Sequence, residues 1–203
     1  MTRKITGDTL LFATHNQGKL GEMRELLFPL GIKVMSAKDR DLPEPEETED
    51  TFVGNARIKA HAAAQATGLV ALSDDSGLCV DALNGAPGVY TADWAEGPGG
   101  RDFGRAMSKT HAVLVSKDAA EPWLARFVCV LVLAWPDGYD EVFEGSVAGR
   151  LVWPIRGAEG HGYDPMFVPE GDNRTFAEMP TDEKNGISHR ARALKKLLSD
   201  CFT

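Results

Sequence analysis

Asp74 and Asp75 stand side by side in "ALSDDSGLCVDAL" (71–83), directly after an apolar run and ahead of Ser76-Gly77. Adjacent carboxylates in that setting suit three tasks: closing a turn, holding a hard divalent cation, or taking a proton from water. No His or Cys cluster accompanies them, so Mg2+ or Mn2+ is the ion they would suit, held by one or two carboxylates plus waters and phosphate oxygens. One aspartate for the turn and one for the metal is the simplest division.

Three further groups carry chemistry. In "FATHNQGKLGEM" (12–23) a loop enters a helix, exposing unpaired N–H groups and a positive dipole end that can receive an anion. Lys19 opposes that dipole, and a phosphate between them would remove the conflict; the alternative is Asn16 as an ordinary cap with Lys19 in solvent. "EKNGISHR" (183–190) gathers the donors Lys184, His189 and Arg190 near a helix start. "HGYDP" (161–165) offers ring faces and a carboxylate on a glycine-flanked loop, able to stack on a base or to pack the loop down. Glu44, Glu46, Glu47, Glu49 and Asp50 crowd a single proline-rich loop and read, as a run, mainly as a solvated face.

The elements that must position these groups follow from periodicity. "TLLFAT" (9–14) reads as a buried strand, followed by a helix burying Leu20, Met23, Leu27 and Leu30 and stopped by Gly31. "IKVM" (32–35) is a second strand. "TFVGNARIKAHAAAQATG" (51–68) is a helix capped by Thr51 or Asp50 and ended by Gly68. "LVAL" (69–72) is a buried strand, so the aspartate pair falls at a strand's carboxyl end, where ligands gather in α/β sheets. A glycine-rich loop covers 84–104, a helix lies within 104–117, and two long strands (124–135, 140–153) form a hairpin at "PDG". After a second loop over 157–173, a C-terminal helix buries Ile187, Ala191, Leu194, Leu198 and Cys201. Strands and helices mix throughout, which predicts an α/β protein with a mixed sheet.

With 203 residues, 43% of them hydrophobic, the chain can bury one large core. A net charge of -8 argues against stable nucleic-acid binding yet leaves room for a local anion site. Cys79, Cys129 and Cys201 form no C-x-x-C pair and read as buried thiols in a reducing compartment. The N-terminus shows no signal-peptide pattern, and the longest apolar run, 127–135, is too short to span a bilayer as a helix, so a soluble cytoplasmic protein with no membrane partner is expected.

Five segments in this order, "ATHNQGKLGEMRELL", "EETEDTFVGNARIKA", "SDDSGLCVDALNGAPGVYTADWA", "GYDPMF" and "AEMPTDEKNGISHRARAL", resemble the inosine triphosphate pyrophosphatase family from Leu10 to about Leu198. The resemblance implies an ITPase-like α/β fold of two lobes around a long mixed central β-sheet with a cleft between the lobes, one domain over 1–203, and a homodimer. It implies Mg2+-dependent hydrolysis, with Mn2+ as a substitute, of ITP, dITP and XTP to the monophosphate and pyrophosphate. Carried over by position, Thr14, His15, Asn16, Gln17, Gly18 and Lys19 would line the triphosphate site, with Lys59 and Lys184 also binding phosphates. Glu46 and Asp75 would serve the metal, Asp75 would be the base for the attacking water, and Ser76 would touch the substrate. His161, Gly162, Tyr163 and Asp164, with His189 and Arg190, would hold the base, while Asp74 receives no role beyond supporting a turn.

His161 departs from the family's usual Phe and adds a titratable edge to the expected stacking ring. A purine 6-oxygen accepts from donors such as His189 or Arg190, whereas adenine sets donor against donor. Guanine shares that oxygen, so this logic does not account for its rejection. The rival readings are a non-catalytic nucleotide sensor, a pyrophosphatase for pyrimidine or modified nucleotides, and a sugar-phosphate phosphatase.

Overall fold

The apolar strand at Thr9–Phe12 (β1) leads through a short loop into the helix Gln17–Leu27 (α1), and Lys33–Ser36 (β2) returns beside β1 in parallel register. The computed structural model describes residues 3–5 and 7–202. The helix Phe52–Thr67 (α2) precedes the long strand Ala71–Val80 (β3), which also pairs in parallel with β1. The helix Phe103–Ser116 (α3) is followed by Trp123–Ala134 (β4) and Asp140–Leu151 (β5), joined by a tight turn at residues 135–139. The short strand Phe167–Pro169 (β6) runs antiparallel to β5. The helices Thr181–Ile187 (α4) and His189–Cys201 (α5) close the chain. The sheet order is β2-β1-β3-β4-β5-β6, so the expected mixed α/β architecture is present.

Two compact units share these elements. The first holds the chain up to Asp75, residues Cys129–Gly145 and everything from Arg190 on; its core includes Leu10, Phe12, Met23, Leu72, Leu131 and Leu197. The second holds Ser76–Val128 and Ser146–His189, around Leu78, Val80, Leu114, Phe127, Phe167 and Phe176. The four unit boundaries fall inside β3, β4, β5 and the first turn of α5.

Local signals explain most element ends. The Thr51 hydroxyl accepts from Gly54 N–H at 3.1 Å to cap α2. Gly68 closes that helix at φ +69°, a conformation that favours glycine.

Four expectations are corrected. Helix α1 ends at Leu27 because Pro29 has no N–H for the next helical bond; Phe28–Leu30 becomes a tighter turn and Leu30 is exposed. Strand β3 continues through the aspartate pair instead of stopping before it. β6 forms within the predicted 157–173 loop, too short to show a period. The C-terminal segment breaks at Ser188, and α5 buries Arg190, Ala193, Leu194, Leu197 and Cys201 while Ile187 is exposed. The inward face is displaced because a charged residue, Arg190, lies on it.

All three cysteines are free and buried. Among the described residues, no helix is long and apolar enough to cross a membrane.

Candidate functional site

Strand geometry divides the aspartate pair. Successive side chains of a strand point to opposite faces, so Asp74 and Asp75 inside β3 must part company. Ser73, on the Asp75 face, donates its hydroxyl to the Ala56 carbonyl of α2, which places α2 on that side.

Asp75 is buried and accepts from Asn55 Nδ2 at 3.4 Å. The Asn55 amide is oriented from its other end, where its oxygen accepts the Glu49 N–H at 2.9 Å. One buried side chain of α2 thereby ties the acidic loop to Asp75. Lys59, one turn further along α2, pairs with Glu47, whereas Glu46 is exposed. Burial pushes the Asp75 carboxyl up to about 6 against the pull of Lys59 and Lys19, and Glu47 and Asp74 add to the rise. Burial works against the Lys59 charge, but Asp74, Asp75 and Glu47 outweigh it and raise that ammonium above its usual range.

Asp74 faces the other way. Its Oδ2 lies 3.0 Å from Lys19 Nζ and 3.2 Å from Arg190 Nη2, and Arg190 Nη1 reaches Glu22 of α1. Burial opposes its charge, yet Lys19, Arg190 and Lys59 together hold this carboxyl well below the usual carboxylate range. At the start of α1, Asn16 Oδ1 accepts Lys19 N–H at 3.1 Å and Thr14 Oγ1 accepts Asn16 N–H at 3.2 Å. Asn16 is therefore a true cap, while Lys19 is held against Asp74 and not loose in solvent. The His15 ring donates from Nε2 to the Leu42 carbonyl at 2.9 Å, fixing the loop; Gln17 is exposed and Gly18 half-buried.

Among the described residues, no three His, Cys, Asp or Glu side chains converge as a metal cluster. The donor set nonetheless fits Mg2+, which takes one or two protein carboxylates and completes its shell with water and phosphate oxygens. Asp75, buried and close to two like charges, is a carboxylate whose charge a divalent cation would relieve.

The second unit gathers the other predicted residues. Asp164 is buried and accepts Lys184 Nζ at 2.6 Å and His161 N–H at 2.7 Å. Gly160 permits this: a Cβ there would lie 2.2 Å from Asp164 Oδ2, and its φ is +78°. Tyr163 uses its ring for packing, edge-on to Phe103 at 6.0 Å with its hydroxyl 3.4 Å from Thr110, and burial raises the phenol to about 12. His161 is exposed at the loop tip, beside half-buried Gly162. His189 is buried, its ring parallel to Phe127 at 4.9 Å, and Ser76 is half-buried.

The structure thus brings Lys19, Lys59, Asp74, Asp75 and Arg190 together in one unit, and His161, Asp164 and Lys184 in the other. Sequence reasoning missed Glu22, Glu47 and Asn55. Two of these had a signal, since Asn55 precedes Lys59 by four residues and Glu22 follows Lys19 by three, spacings that share a helix face.

Residues 10–200 match the model of the Ham1 family. A Ruegeria pomeroyi protein named dITP/XTP pyrophosphatase is 69% identical, covering 100% of this chain and 99% of its own length. One of the same name from Zymomonas mobilis is 53% identical, covering 98% and 95%. The solved structure of a HAM1 protein from Coxiella burnetii superposes with a TM-score of 0.86 at 39% identity, covering 94% of this chain and 96% of that one.

Proposed function

The chain belongs to the Ham1 family, and on that footing we propose that it hydrolyses the non-standard purine nucleoside triphosphates dITP, XTP and ITP to the monophosphate and pyrophosphate, clearing them from the nucleotide pool. The observation that carries this reading is Asp75: a buried carboxylate with a raised pKa, backed by a helix amide and set among Lys59, Lys19 and Glu47. Perturbed carboxylates of this kind mark acid–base sites.

The chemistry asks for positioning and charge neutralisation more than covalent catalysis. The start of α1, residues Thr14 to Lys19, receives the triphosphate with Lys59 and Lys184, whose cations offset roughly four negative charges. Asp75, mostly ionised at neutral pH, takes the proton from a water attacking the α-phosphorus. The bond from that phosphorus to the bridging oxygen breaks, and pyrophosphate leaves. Glu46 and Asp75 would hold Mg2+, with Mn2+ as its substitute; bound there, the ion supplies charge neutralisation and acidifies water. Ser76 touches the substrate, while the 161–164 loop, anchored by the packed Tyr163 ring, holds the base with His189 and Arg190, and the base's 6-oxygen takes a hydrogen bond from His189 or Arg190.

We read the chain as one catalytic domain over 1–203, acting as a homodimer in the cytoplasm; the three free, buried thiols support a reducing compartment.

One assay tests the reading: purified protein and Mg2+ with ITP, XTP, dITP, GTP, ATP, UTP, dTTP and a sugar phosphate, scoring pyrophosphate against orthophosphate. Preferred turnover of ITP, dITP and XTP with pyrophosphate release is expected. No turnover would favour a sensor, a UTP or dTTP preference a pyrimidine enzyme, and orthophosphate from the sugar phosphate a sugar-phosphate phosphatase.

A further inference from the structure

Asp74 was left without a task by the sequence, and its surroundings supply one. Strand alternation turns it away from Asp75 and α2, toward α1 and α5. There a single oxygen, Oδ2, faces Lys19 Nζ at 3.0 Å and Arg190 Nη2 at 3.2 Å. The Asp74 side chain is 1% exposed, whereas that of Lys19 is 23% exposed. The Lys19 side chain is therefore held by a buried carboxylate while part of its length still reaches solvent. Arg190 is held from two directions, by Asp74 and by Glu22, which lies one turn along α1 from Lys19.

Lysine and arginine side chains have many rotamers, and a cation that reads a ligand gains from being fixed before the ligand arrives. We propose that Asp74 is a positioning residue that sets Lys19 and Arg190 from one carboxylate oxygen, so that the phosphate and base ends of the substrate are read by cations sharing a counter-ion. This rests on the reading of Lys19 as a phosphate contact and Arg190 as a base contact. It also explains why the adjacent carboxylates do not duplicate each other. Asp74 is committed to two cations on one face of β3, leaving Asp75 to the chemistry on the other. Without the Asp74 charge, Lys19 and Arg190 would repel across the vacated position, and both would shift.

Asp74→Asn keeps the shape and removes the charge. The expected result is a double defect in a chain whose circular dichroism is unchanged. The Ki of inorganic tripolyphosphate, a probe of the phosphate end alone, rises about threefold or more, and the ratio of kcat/KM for ITP over ATP falls about tenfold. If either quantity keeps its wild-type value, the shared-counter-ion role is overturned. A purely structural Asp74 would lower all substrates alike and leave that ratio intact.

Should Asp74→Asn not fold, Lys19→Met decides the matter, because it alters only a partly exposed side chain. The Arg190 Nε–Hε resonance of the 15N-labelled protein, assigned with Arg190→Lys, should move when Lys19 is lost, and an unmoved resonance overturns the proposal. These outcomes separate from failure of the pyrophosphatase reading. If the wild type turns over none of ITP, dITP and XTP, that reading falls, while direct tripolyphosphate titration and the Arg190 resonance still test Asp74.

Discussion

At the scale of single residues, Asp75 carries opposite consequences for stability and for turnover. Its carboxyl is raised from the ordinary value of 3.8 to about 6 by burial, with Glu47 and Asp74 adding to the rise. Between those two values the folded chain binds more protons than the unfolded one, so this group's contribution to stability falls as pH rises and is fully unfavourable above about 6. The penalty at neutral pH is on the order of 2–3 kcal/mol at most. Asp75→Asn removes it, so thermal melting at pH 7.5 should show a Tm several degrees higher, while kcat drops by about 10²–10⁴-fold. A lower Tm would mean that the charge is already well compensated; retained turnover would remove Asp75 from the mechanism. In the wild type at Mg2+ well below saturation, kcat/KM should decline as pH falls through about 6, and the limb should move to lower pH as Mg2+ is raised; Asp75→Asn should show neither. Asp74 has the opposite sign: held below the usual range, it stabilises at neutral pH, and that stabilisation is lost only as acid protonates it.

At the scale of elements, α2 is the part that joins the acidic loop to Asp75, through Asn55. Asn55→Leu keeps the branched shape and removes both of its hydrogen bonds, costing about 0.5–1.5 kcal/mol at the Glu49 N–H, which water can reach, and about 1.5–3 kcal/mol at the buried Asp75 carboxylate. The expected outcome is faster limited proteolysis within 44–50 and a higher Mg2+ concentration for half-maximal rate; an unchanged cleavage rate would show that the loop is anchored elsewhere. Helix α2 was legible from its ends, since Thr51 and Gly68 are strong local signals that tertiary packing had no reason to override. Strand β3 was less so. Its interior reads S-D-D-S-G, turn-forming residues by local preference, yet it stays extended because Asp74 and Asp75 each find partners on the two faces of the sheet. The buried face of α5 was misplaced for a related reason. Apolar periodicity cannot reveal that Arg190 points inward, because its counter-ions come from Glu22 and Asp74, more than a hundred residues away. The four clusters were recognisable from residue types and spacing; how their charges pair was not, because pairing is a property of the folded chain.

At the scale of the whole molecule, those pairings govern how a polyanion meets a chain of net charge -8. Each lysine proposed for the phosphates already has a carboxylate: Lys19 has Asp74, Lys59 has Glu47 and Lys184 has Asp164. None of the three presents an unneutralised cation to solvent, so the far field felt by an approaching triphosphate is set by the acidic surface and is repulsive. Salt screens such long-range fields within about 10 Å at 0.1 M while leaving partly buried pairs nearly untouched. Raising ionic strength from about 0.05 to 0.2 M at constant free Mg2+ should therefore leave kcat/KM flat or slightly higher. An enzyme with an open basic funnel would instead lose rate steeply over that range. A steep loss here would show that the lysines leave their carboxylates before the substrate arrives, and that capture by free cations, not exchange of partners at contact, begins the reaction.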